Sequence, residues 1–403
     1  QLAQLLKNKG FPSRIETINC VESYLGSHPG NTVANIRKPL LHSFNFAHFI
    51  PLHSPWLGSE INPHPRFPKS SPALLCASST NQTPVFCNIH VEDVGHTIIV
   101  GSNGYGKTVK QRAVIVSYLR YKDAQIFAFD NQRGFYTITK ACGGDYYEIL
   151  GEGASISFCP LQKIEDDSER LFAAVWLEEL ITLQTGAQVT PKQRQAISEA
   201  LEALRSDKIK SLSNFYANLQ DRTLKSALDP FVSIQNGVMS KLLDAPDDSL
   251  SESNFQTFEI GGLVSLDPKF AIPVISYIFH KIETRLTGRP TLILLSETWK
   301  LFSTPFFASK INEWLRQCRA KNASVSFETH SVGDINGALK NVILTNCLTK
   351  IFLPNPLANK INDREMYLSF GLNEAQIRLL AEATPKRQYL WVSPKGSCLV
   401  DLE

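Results

Sequence analysis

The run Gly101-Ser102-Asn103-Gly104-Tyr105-Gly106-Lys107-Thr108 limits what this chain can fold into more than any other stretch. It has the spacing G-x-x-x-x-G-K-[ST], the apolar run Thr97-Ile98-Ile99-Val100 feeds it, and the sequence after it reads as a helix through Arg120. A strand, a glycine-rich loop and a helix in that order make a cradle for phosphate, because glycines let the backbone come close and turn its N–H groups inward. Lys107 then supplies a point charge to the β- and γ-phosphates, the Thr108 hydroxyl holds Mg²⁺, and Val109 opens the helix whose N-terminus adds partial positive charge. The expected ligands are ATP and Mg²⁺; an ordinary glycine-rich strand-to-helix turn is the plain alternative.

At 403 residues the chain exceeds what one hydrophobic core usually serves, which predicts two packed units. Net charge is only +3, a surplus that neither demands nor excludes nucleic acid. The eight cysteines form no C-x-x-C pair, which argues against zinc and for reduced thiols in a cytosolic setting. No apolar run is long enough to span a membrane, and nothing at the start resembles a signal peptide. The chain starts inside a helical pattern (Leu2, Leu5, Leu6), so it reads as the C-terminal part of a longer protein.

Four segments are expected. Residues 1–83 form an N-terminal helix and an irregular arm packing on the core, rich in Pro, His, Ser and Asn from Ser27 onward. His53 and His64 lie there without metal-ligand spacing and read as surface or packing residues. Residues 84–165 begin regular α/β alternation and carry the loop. The strand Gln125–Phe129 ends on Asp130, where α/β folds place ligands; a helix cap or loop carboxylate is the plain alternative. Residues 166–249 lack strand signals and predict an all-α insertion, a second small domain hung on the first. Residues 250–403 return to strands at Phe255–Ile260, Thr291–Leu295, Ala323–Phe327 and Leu348–Leu353, with helices over 272–286 and 306–321 and a closing hairpin. The class is α/β with a mainly parallel sheet.

Nucleotide hydrolysis on such a loop requires a second strand ending in two acidic residues, one to orient the Mg²⁺ shell and one to polarise water. Thr291–Leu295 ends in Ser296-Glu297. Glu297 stands where the base belongs, or is a solvated carboxylate on a helix's first turn; Ser296 stands where Asp is normal. A hydroxyl can accept from a metal-bound water without carrying charge, and losing one charge-assisted contact costs about 1.5–3 kcal/mol, on the order of 10- to 150-fold. His330, past the next strand, occupies a position where an uncharged amide often senses the γ-phosphate, which predicts turnover sensitive to pH between about 6 and 7.5. Glu328 could replace part of the missing carboxylate, or sit on an exposed turn. Arg316 and Arg319 share a helix face, and either could reach a neighbour's site in an oligomer or form an intrachain salt bridge.

Beyond these residues the chain resembles the CagE, TrbE, VirB family of conjugative-transfer and type IV secretion ATPases, closest to the TrbE type, from about Tyr24 to the end. The carrying segments are Pro29-Gly30-Asn31, Ser54-Pro55-Trp56, His90 with Asp93–Thr97, Asp123–Asp130, Phe158–Leu161, Phe255–Ile260, Glu313-Trp314-Leu315 with Arg319 and Asn322, and Pro385-Lys386-Arg387. The resemblance implies a RecA-like core with an all-α insertion, Mg²⁺-dependent ATP hydrolysis, hexamers, and a station at the cytoplasmic face of the inner membrane among other secretion components. It makes Asp130 part of a family motif and Arg319 the better candidate for action in trans. The family pattern has Asp at Ser296, usually Ala at Thr298, Gln at His330, a basic residue at Ala320 and a smaller residue at Tyr105, so binding is expected more firmly than rapid turnover. Two other functions stay open: a nucleotide-binding scaffold with little hydrolysis, and a DNA-translocating motor of the coupling-protein kind, against which stands the lack of a basic, aromatic-laced tract.

Overall fold

The computed structural model describes residues 2–8, 13, 15–34, 42–48, 50, 56–80, 82–151, 153, 156–296, 305–335 and 337–402. Glu297, Thr298 and His53 lie outside them. The chain divides into two compact units, Gln1–Ser54 and Pro55–Glu403. The first holds the helices Leu2–Asn8, Cys20–Gly26 and Ser43–His48; everything below concerns the second.

Its frame is one sheet of strands β1 (Leu75–Ser79), β2 (Pro84–Cys87), β3 (Thr97–Val100), β4 (Gln125–Asp130), β5 (Asp145–Glu148), β6 (Phe255–Glu259), β7 (Thr291–Ser296), β8 (Ala323–Thr329), β9 (Thr349–Phe352), β10 (Gln388–Ser393) and β11 (Gly396–Asp401). They run in the order β2-β1-β11-β10-β9-β3-β8-β7-β4-β6-β5. From β9 to β5 every pairing is parallel; from β9 to β2 every pairing is antiparallel. β3, β4, β7 and β8 are buried along their whole length, which is why Ile98–Val100, Ile126–Phe129 and Leu292–Leu295 read as unbroken apolar runs, while β8 interleaves Ser324 and Ser326 with Val325 and Phe327.

Alternation sorts the side chains into two cores. Ile98, Val100, Phe127, Phe129, Ile293, Leu295, Val325 and Phe327 face one cluster. Ile99, Ile126, Ala128, Leu292 and Leu294 face the other, shared with Val114 and Ile115 of the helix Lys107–Tyr118. By the same alternation Asp130, Ser296 and Glu328 point to the side of that helix.

Between β5 and β6 the described chain is helical: Asp167–Thr185, Pro191–Leu204, Leu212–Asn218, Arg222–Leu228 and Ser240–Leu243. The caps explain the boundaries. Asp166 accepts from Ser168 N, and Thr190 with Gln193 closes a capping box ahead of Pro191. This segment belongs to the same apolar cluster as one sheet face, and Trp176 Nε1 donates to the Pro273 carbonyl at 2.9 Å.

Two readings of the sequence change. The sheet starts at Leu75, inside the stretch taken as an irregular arm; from Trp56 that stretch is already tied down by Phe86 N to Leu57 O at 2.7 Å and by bridges Gly58 to Phe86 and Ile61 to Pro72. β1 is a two-residue alternation of small side chains, too weak to read among prolines. The helix expected over 272–286 runs Pro268–Thr284, because Asp267 caps it by accepting from Lys269 N at 3.0 Å with Pro268 in the first turn. His64 and His90 are buried against Phe67, so His64 is a packing residue.

Candidate nucleotide site

The phosphate loop leaves the sheet at the carboxyl end of β3 and is shaped by three glycines. Gly101 lies against Leu353, where a Cβ would meet the Leu353 Cβ at 2.4 Å. Gly104 and Gly106 hold φ of 81° and 100°, in the left-handed region that favours glycine. Ser102, Asn103 and Gly104 are exposed, Tyr105 and Gly106 half-buried, and Val109 is 64% exposed, so its side chain takes no part in the cradle. The C-terminal hairpin backs the loop: Lys386 N donates to Tyr105 O at 3.2 Å and the Tyr389 hydroxyl to Gly106 O at 3.3 Å. Nothing in the sequence around Tyr389 signalled this support, since it depends on a return of the chain over nearly three hundred positions.

Lys107, 6% exposed, folds back over the loop and donates to Gly101 O at 2.8 Å. Its Nζ is also 2.5 Å from His330 Nδ1, just past the end of β8. The expected γ-phosphate sensor and the loop lysine therefore meet. One turn on, Lys110 is 2% exposed, with its ammonium 5.4 Å from the Trp391 ring centre, and burial pulls it down to about 7 against the field of Glu328. The sequence offered no hint of this burial, because a lysine at i+3 from Lys107 reads as solvated until the sheet is seen beneath it.

Ser296, at the end of β7, is 9% exposed and donates from Oγ to Glu328 Oε2 at 2.8 Å; the two residues are register partners across β7 and β8. Glu328 is 4% exposed, so the exposed-turn reading of it fails: β8 runs through Thr329 and carries it inside.

Asp130 closes β4 at 2% exposure. Its Oδ2 accepts from Phe135 N at 2.7 Å and from the Tyr146 hydroxyl at 3.3 Å, and burial pushes the carboxyl up to about 7, with Glu259 adding to the rise. Glu259 accepts from Gln132 N, Arg133 N, Gly261 N and the Tyr146 hydroxyl at 3.2, 2.9, 3.1 and 2.7 Å, which steadies Gln132 and Arg133 at positive φ. A Cβ on Gly134 would stand 3.1 Å from Asp130 Oδ1 and 3.6 Å from Thr108 Cγ2, while Arg112 donates to Gly134 O at 2.6 and 3.1 Å. The Asp130 loop is thus strapped to the first turn of the loop helix.

Arg319 stands apart from these residues. It forks onto Asp93, Nε to Oδ2 at 2.8 Å and a terminal nitrogen to Oδ1 at 2.9 Å, before the start of β8. Arg316 is exposed. β8 carries its chain about 20 Å from that end to the loop side, so Arg319 does not serve the loop of its own chain.

The residues present suit a triphosphate and a hard divalent cation. A strand-to-helix loop with a buried lysine offers N–H groups and positive charge, and Thr108, Ser296 and Glu328 carry oxygens of the kind Mg²⁺ takes. Among the described residues no group of three or more His, Cys, Asp or Glu could hold a metal ion. No described helix is long and apolar enough to cross a membrane.

No family model matches the chain. It is 42% identical over 406 residues to a probable conjugal transfer protein TrbE of Sinorhizobium fredii (strain NBRC 101917 / NGR234), covering 100% of this chain and 61% of the relative. It is 41% identical over 406 residues to the conjugal transfer protein TrbE of Rhizobium radiobacter, covering 99% of this chain and 49% of that one. The chain thus spans about half to three fifths of the length of these curated relatives. The solved structure of VirB4 of Thermoanaerobacter pseudethanolicus shares the fold, with a TM-score of 0.65 at 17% identity over 84% of this chain and 98% of that one. With the loop and the strand order, the chain is similar along its whole length to TrbE conjugal transfer proteins and shares the fold of the VirB4 structure.

Proposed function

We propose that the chain binds Mg²⁺-ATP on the 101–108 loop and hydrolyses it, as the motor portion of a conjugation-type secretion machine that drives pilus assembly or substrate transfer. The observation that carries this reading is the meeting of Lys107 with Gly101 O and His330 at the carboxyl ends of β3 and β8, beside Ser296 and Glu328. Lys107 would trade these contacts for β- and γ-phosphate oxygens, the loop N–H groups would wrap the β-phosphate, and Thr108 and Ser296 would present oxygens to Mg²⁺ or its waters. The cation, when bound, neutralises charge that develops on the phosphates. Glu297 follows Ser296 directly and is the residue to polarise the attacking water. Arg319 would complete the site of a neighbouring copy in a homo-hexamer seated with other secretion components at the cytoplasmic face of the inner membrane.

Ser296 in place of a carboxylate favours a second reading, a nucleotide-binding scaffold that barely turns over. Phosphate release with Mg²⁺, compared with the Glu297→Gln variant, separates the two. Release well above that of the variant supports the motor, and equal release in both supports the scaffold.

A further inference from the structure

We propose that Glu328, at the end of β8, does from the neighbouring strand what an aspartate at position 296 would do from β7, with Ser296 as its positioning partner. The inference rests on the nucleotide reading above and deepens it.

Three observations carry it. Ser296 and Glu328 are register partners, and on adjacent parallel strands about 4.8 Å apart a glutamate is one methylene longer than the aspartate it would replace, so its carboxylate can reach back toward the β7 position. It does so here: Glu328 Oε2 accepts the Ser296 hydroxyl at 2.8 Å. The second observation is direction. Val325 and Phe327 face the other core, so Glu328 points to the side of the loop helix, where Lys107 and Lys110 are buried. The third is cost. A glutamate at 4% exposure inside a sheet is expensive unless ionic and polar groups surround it. The Ser296 hydroxyl and the field of the Lys110 ammonium are such groups. Buried Ser324 and Ser326 share this polar face of β8 with Glu328, while Val325 and Phe327 fill the opposite face.

The test is the Mg²⁺-dependent part of nucleotide affinity, read with a fluorescent ADP analogue by titration in EDTA and again in Mg²⁺, which needs no turnover. Glu328→Gln keeps shape and hydrogen bonding and removes the charge. The expected result is an affinity in EDTA within about threefold of the unaltered chain, and a Mg²⁺-induced gain at least about tenfold smaller, as for one lost charge-assisted contact. Returning the charge to β7 in the double variant Ser296→Asp with Glu328→Gln should restore most of that gain. A full Mg²⁺ gain in Glu328→Gln, or no recovery in the double variant, overturns the inference while leaving the nucleotide site intact. No binding to the unaltered chain in either buffer overturns the reading of the loop, and this inference with it. If Glu328→Gln does not fold, Ser296→Asp alone decides: two carboxylates side by side should make the melting temperature depend more strongly on Mg²⁺ with ADP than in the unaltered chain, and an unchanged dependence rejects the proposal.

Discussion

The Lys107 ammonium stands 2.5 Å from His330 Nδ1, so the loop of β3 and the end of β8 are joined by one charged hydrogen bond. An ammonium has only donors, so in this contact the ring nitrogen is the acceptor. Two replacements separate acceptor from ring. His330→Gln keeps an acceptor and should hold turnover within about tenfold, whereas His330→Leu removes it and should cost on the order of 10- to 150-fold. Equal losses in steady-state phosphate release would show that the contact does not matter to the site.

Gly106 is the tightest point of the loop. Its φ is 100°, and a Cβ there would stand 2.7 Å from the Tyr389 hydroxyl and 3.1 Å from Lys386 Cα. Gly106→Ala should therefore displace the hairpin as well as strain the loop, lowering nucleotide affinity at least tenfold with a stability loss of about 1–3 kcal/mol. Urea unfolding in parallel with nucleotide titration reads both quantities; unchanged affinity would mean the loop tolerates a different backbone.

Asp130 should set part of the pH dependence of stability. Its carboxyl titrates near 4 in the unfolded chain and is raised to about 7 in the fold by burial. Between those values the folded chain holds more protons, so stability falls as pH rises through that window, by at most about 4 kcal/mol in total. Asp130→Asn can still accept from Phe135 N and the Tyr146 hydroxyl without that cost. Thermal melts should show the variant gaining on the unaltered chain from pH 4 to 7, with the advantage constant above. A parallel pair of curves would contradict the assignment.

How much of this was legible beforehand depends on what each feature rests on. The loop, β3, β4, β7 and β8 follow from local residue types, since strands buried on both faces are rich in apolar and β-branched residues, and they fall where the runs Thr97–Val100, Gln125–Phe129, Thr291–Leu295 and Ala323–Phe327 predict. β1 and β5 escape notice because Leu75-Cys76-Ala77-Ser78-Ser79 and Asp145-Tyr146-Tyr147-Glu148 have short, partly polar patterns that neighbouring strands stabilise. The site is legible along the chain and not across it. Lys107, Ser296 and His330 can be named from motif position. The register that sets Glu328 beside Ser296, and the hairpin that brings Tyr389 to Gly106, are properties of strand pairing, which the sequence does not state.

Arg319 and Asp93 form an exposed pair, the arginine side chain 51% accessible. Such pairs contribute about 0–1 kcal/mol, so Arg319→Ala should leave the melting temperature nearly unchanged. If the arginine acts on a neighbour, the variant loses turnover by on the order of 10³-fold under conditions where the chain assembles, while binding nucleotide as before. Loss of nucleotide binding itself would place its role within one chain instead.

The most direct test of the account is calorimetric titration of ATP with Mg²⁺ into the unaltered chain and into Lys107→Ala, both confirmed folded by their melting curves. The account predicts saturable binding in the unaltered chain and at least a hundredfold weakening in the variant. Indistinguishable isotherms would contradict it, since the loop would then hold no triphosphate whatever its spacing.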